Sequence, residues 1–113
     1  MVESHTIKIE ESGSQIELSA ANPASTVHIS GNDNEVTITC ACLESLEVWS
    51  SNNFVICPHE QSLIRELVVM GNGNIFTNLQ VDSLHVVGSG NYFDKVSYSL
   101  VYVQGTGSQF ENC

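Results

Sequence analysis

Leu84-His85-Val86-Val87-Gly88-Ser89-Gly90-Asn91-Tyr92-Phe93 is the stretch on which the reading of this chain turns. An apolar pair two residues apart, Leu84 and Val86, precedes a four-residue turn. An apolar residue, Phe93, follows five positions after the turn begins. Period-2 apolar spacing on either side of a corner is the mark of two strands that each bury one face. The same phrase recurs in both directions. Gly31-Asn32-Asp33-Asn34, Gly71-Asn72-Gly73-Asn74 and Gly105-Thr106-Gly107-Ser108 are close copies of the turn. Glu11-Ser12-Gly13-Ser14 and Ser50-Ser51-Asn52-Asn53 are weaker ones in the same frame. The turns start at 11, 31, 50, 71, 88 and 105, so the intervals are 20, 19, 21, 17 and 17 residues.

The flanks keep step with the turns. Four residues before each start lie Ile7, Val27, Leu46, Leu67, Leu84 and Val101, and two before lie Ile9, Ile29, Val48, Val69, Val86 and Val103. Five after lie Ile16, Val36, Val55, Phe76, Phe93 and Phe110. All eighteen positions are large and apolar in a chain that is 42% hydrophobic. Such columns predict an all-β, single-stranded parallel β-helix of about six coils of 17–21 residues, filling one domain over residues 1–113. A coil this short cannot close a core alone, so each strand pairs with its counterpart in the next coil. The general rule for parallel crossovers makes the coil right-handed. An antiparallel sandwich with Gly-Asn hairpins would not need residue identity to recur in columns.

The turn positions have their own chemistry. The third reads Gly13, Asp33, Asn52, Gly73, Gly90 and Gly107, types that tolerate φ > 0, so a left-handed corner is expected in every coil. The fourth reads Ser14, Asn34, Asn53, Asn74, Asn91 and Ser108, and stacked amides about 4.8 Å apart can bond up a ladder. Gly31, Asn34, Gly71, Gly73, Asn74, Gly88, Gly90, Asn91, Gly105 and Gly107 are therefore the structural turn residues. The Gly-x-Gly-Asn turn, set between a Leu-x-Val strand and an aromatic-bearing strand, resembles the repeats of short-coil right-handed parallel β-helices, a look shared by Gly/Asn-rich bacterial repeat proteins. The resemblance runs from Ile7 to Cys113. The β-helical domains of cyclase-associated protein and tubulin cofactor C are more distantly similar, and no residue is carried over from them. Such scaffolds host enzymes, adhesins, ice binders and structural proteins, so the resemblance implies architecture and not activity.

Composition narrows the partners. Three Lys+Arg against 13 Asp+Glu give a net charge of -10. That leaves no basic footprint for nucleic acid or anionic lipid, and no apolar run is long enough to span a membrane. Met1-Val2-Glu3-Ser4-His5 lacks the features of a signal peptide, so an intracellular, cytoplasmic location is expected. Cys40, Cys42, Cys57 and Cys113 show no metal spacing. Reduced core thiols, a disulfide from Cys57 to Cys40 or Cys42, and a metal site all stay open. His28 and His85 share an outward column three coils apart, about 14 Å, too far for one metal. His59 beside Glu60 falls on the longest excursion, and Asp33, Asp82 and Asp94 make no carboxylate pair. The hydroxyl residues Thr37, Thr39 and Thr77 do not continue into a regular ice-binding face. No catalytic residue, metal or cofactor is expected.

Outward apolar residues remain. Trp49, Val68, Met70 and Val87 fall on one face, and Phe54, Ile56, Ile75 and Tyr92 on another. Contiguous apolar surface of this kind marks contact sites, and only residues 1–6 lie outside the repeat to cover it. The last coil carries no charged cap, which leaves Val103 and Phe110 at an open edge, whereas the first carries Lys8, Glu10 and Glu11. The expectation is a non-enzymatic structural or assembly protein that meets protein partners or further copies of itself through these faces or the C-terminal coil. The alternative is a carbohydrate-binding or carbohydrate-processing β-helix using Trp49, Tyr92, Tyr98 and Tyr102.

Overall fold

The computed structural model describes residues 6–18, 26–39, 42–57 and 62–111, which form twelve strands and no helix. In chain order these are β1 (Thr6–Ile9), β2 (Gln15–Leu18), β3 (Thr26–Ile29), β4 (Glu35–Ile38), β5 (Cys42–Val48), β6 (Phe54–Ile56), β7 (Ser62–Met70), β8 (Ile75–Thr77), β9 (Leu79–Val87), β10 (Tyr92–Asp94), β11 (Ser97–Gln104) and β12 (Gln109–Glu111). The odd strands make one six-stranded parallel sheet in the order β1-β3-β5-β7-β9-β11, and the even strands make the other in the same succession. The chain is a β-solenoid of six two-strand rungs, about five complete turns.

Register follows the sequence columns. Leu84 pairs with Leu67 and Val101, and Val86 with Val69 and Val103. Phe93 pairs with Phe76 and Phe110. In-register stacking puts like on like, so Phe76, Phe93 and Phe110 form a continuous stack with centroids 5.1 and 4.7 Å apart and planes tilted by 8°. Such contacts add to the roughly 1.5–3 kcal/mol gained per fully buried side chain. The middle rungs bury their columns completely. Val101 and Val103, in the last rung, remain 44% and 41% exposed.

Two features depart from a plain two-strand coil. First, the odd strands lengthen and bend along the chain. In β9 Leu79 and Val81 are buried and so are Leu84 and Val86, with exposed Asp82 and half-buried Ser83 between them. Two successive non-buried residues break the period of 2, which turns the sheet around a second corner of the core. Leu43, Ile64 and Val81 stack there as a further inward column, which continues to Tyr98. Second, each 17-residue coil returns through a single left-handed residue, Asn78 (φ 62°) or Lys95 (φ 55°). In the longer coils the extra residues fall between the even strand and the next odd one. Cys57 is buried at that edge of the core. Residues 1–5, Cys40, Pro58, His59, Glu60 and Cys113 lie outside the described residues, and with them any disulfide pairing of Cys57 and the terminal arm.

Candidate protein-contact surface

The turns fix the geometry of everything they carry. Their third residue has φ between 60° and 74° in all six coils, from Gly13 to Gly107. At the first position the previous rung's backbone passes close. A Cβ on Gly31, Gly71, Gly88 or Gly105 would lie 1.8–2.0 Å from the carbonyl oxygen of Glu11, Ser50, Gly71 or Gly88. Among the five rungs that follow another, Ser50 is the exception at this position, and its Oγ lies between the Ile29 carbonyl and the Asn53 amide.

Asn34, Asn53, Asn74 and Asn91 are at most 1% exposed and build the expected ladder, in a form the sequence did not specify. The Oδ1 of each accepts the backbone N–H of the fourth turn residue one rung earlier, at 2.9–3.1 Å: Ser14, Asn34, Asn53 and Asn74 in turn. Asn34, Asn74 and Asn91 also donate through Nδ2 to the carbonyls of Glu11, Ser50 and Gly71. A second ladder runs the other way on the surface. Ser12 Oγ accepts the Asn32 N–H, Asn32 Oδ1 the Ser51 N–H, Ser51 Oγ the Asn72 N–H and Asn72 Oδ1 the Ser89 N–H. The buried ladder stops at both ends on serine, and the Oγ of Ser108 is buried with no partner.

On this frame the first outward face is a stripe along the solenoid. Lys8, His28, Glu47, Val68, His85 and Tyr102 stack in one register column, and Met70 pairs with Val87 in the next. Trp49 follows β5 and packs its ring 5.2 Å from His28, whose Nδ1 lies 3.5 Å from Glu47 Oε2. Trp49 is 51% exposed and Met70 42%, while Val68 and Val87 are half-buried. His85 packs edge-on to Tyr102 at 4.7 Å.

The second face is less open. Phe54, Ile75 and Tyr92 stand in one column, and Ile56 in the next between Thr37 and Thr77. All four are half-buried, and the Tyr92 hydroxyl donates to Glu111 Oε2 at 2.6 Å. Packing between neighbouring rungs hides much of their area.

The greatest apolar exposure lies at the last rung. All eight residues of β11 are exposed, among them Tyr98, Leu100, Val101, Tyr102 and Val103 at 39–70%. Phe110 is half-buried beneath Tyr98, 5.9 Å away edge-on. The sequence columns pointed to Val103 and Phe110 here but passed over Leu100 and Val101. Leu100 belongs to the bend, which the column frame does not contain, and the columns place Val101 in the core. Among the described residues no group of three His, Cys, Asp or Glu side chains converges as a metal site would require. No described helix is long and apolar enough to cross a membrane. The chain matches no family model, no curated protein and no solved structure.

Proposed function

We propose that this protein is a non-enzymatic structural or assembly component, a rigid β-solenoid that offers its outer surface to protein partners. The observation that carries the reading is the stripe of Trp49, Val68, Met70 and Val87, with Trp49 and Met70 about half exposed on a regular sheet. Large exposed apolar groups on a rigid frame are the anchors that protein contacts use. A stiff scaffold adds to this, because little entropy is lost on docking. The net charge of -10 favours partners with basic rims. The finer architectural reading, a right-handed Gly-x-Gly-Asn β-helix, rests on the turn motif and the general hand of parallel crossovers.

The test is retention of a partner from native extract by the whole chain, compared with Trp49→Ala and Met70→Ala. Both variants are expected to keep the parent melting temperature within about 2 °C, because surface substitutions rarely move stability, and to lose the partner. A monodisperse monomer that retains nothing overturns the reading. A second reading, carbohydrate binding, draws on Trp49 and Tyr102, both more than half exposed on the same side of the solenoid. A glycan array without a hit removes it.

A further inference from the structure

We propose that two copies of this chain associate through their C-terminal rungs, β11 against β11 about a two-fold axis. The inference rests on the assembly reading above and names one partner for it. The far edge of β11, with which no described strand pairs, is flanked by exposed Tyr98, Leu100, Val101, Tyr102 and Val103, the arrangement that templates strand pairing.

Charge selects a second copy at this end. The molecule carries -10, so copies repel over most of their surface. From Lys95 to Glu111, however, those two residues are the only charges and they cancel, and none lies between Ser97 and Gln104. The first rung is different: Lys8 stands against Glu10, Glu11 and Glu17, a net of -2.

The first rung is a poor fit for head-to-tail stacking in register. In that arrangement the second copy's first rung would act as a seventh. Glu11 would take a position held by glycine at 31, 71, 88 and 105, where the preceding carbonyl leaves no room for a Cβ, and otherwise only by the small Ser50. Glu17 would continue the column that ends in Asp94 and Glu111, placing carboxylates in succession. An isologous contact avoids both, because it sets the neutral apolar edge against itself.

Sedimentation equilibrium across a concentration series, with amide hydrogen exchange at its two extremes, tests this on the whole chain. The expected result is a monomer–dimer equilibrium in which β11 amides gain protection with concentration and β1 amides do not. Leu100→Lys combined with Val103→Lys should weaken the dimer at least roughly tenfold, with the circular dichroism of the parent. Leu100→Lys alone, at a side chain 70% exposed, keeps the test valid if the double variant fails to fold. Trp49→Ala should leave the dimer intact. A monomer at every concentration overturns the proposal, and so does concentration-dependent protection of both β1 and β11. In either event the Trp49 partner experiment stands or falls separately.

Discussion

Gly88 and Gly90 are two residues apart and do different things. Gly90 has φ 66° with open space where a Cβ would go, so a substitution meets backbone strain alone. Gly88 has φ 143° and would place its Cβ 1.9 Å from the Gly71 carbonyl oxygen, so a substitution must also push two rungs apart. Gly90→Ala is expected to cost about 1–2 kcal/mol, Gly90→Val more, and Gly88→Ala about 3 kcal/mol or more. Urea denaturation separates them. Equal losses for the two alanine variants would remove the close approach of successive rungs at the first turn position. The need for both glycines was visible in the sequence as a repeated Gly-x-Gly, but the separate reasons were not. A repeat reports that a position is constrained, and only the neighbouring rung shows by what.

The corners show where legibility ended. The Gly/Asn corner was readable because all six copies use residues that tolerate φ > 0. The opposite corner is made by Asn78 in one coil and Lys95 in the next, and lysine carries no such signature. The bend in the odd strands was hidden for a related reason. Glu44-Ser45, Arg65-Glu66, Asp82-Ser83 and Ser99-Leu100 share a location, but no residue type runs through all four. A solvent-facing bend asks only that two neighbouring side chains avoid the core. The candidate faces were legible as columns, because in-register stacking preserves them. Their exposure was not, since it depends on how far adjacent rungs cover one another, as Phe54 and Ile75 show beside Trp49. Asn78 allows the return corner to be checked. Its Nδ2 donates to the Cys57 carbonyl at 2.8 Å, so Asn78→Gly should lose one hydrogen bond, about 1 kcal/mol. Asn78→Leu should lose the same bond and also pay left-handed strain, about 2–3 kcal/mol in all. A leucine variant as stable as the glycine one in thermal melts would contradict a left-handed corner there.

Taken as one body, the protein holds a neutral apolar interior inside an acidic shell with only three Lys+Arg to offset 13 Asp+Glu. Arg65 pairs with Glu44 at 3.6 Å, but both are well exposed and such a pair contributes little. Self-repulsion therefore opposes folding at low ionic strength. Raising sodium chloride from about 20 mM to about 0.5 M should shorten the Debye length severalfold and lift the melting temperature by roughly 4 °C. A fall in melting temperature over that range would mean that specific ion pairs outweigh the general repulsion. The two hydrogen-bond ladders have a different consequence. Each central asparagine looks back one level and each surface Ser or Asn looks forward one, so an interior level receives what it needs from its immediate neighbours. Residues 71–87 are thus an interchangeable storey: a duplicate spliced in after Val87 would find its donors and acceptors waiting above and below. The molecule would grow taller by about 4.8 Å, with the same ground floor and the same roof.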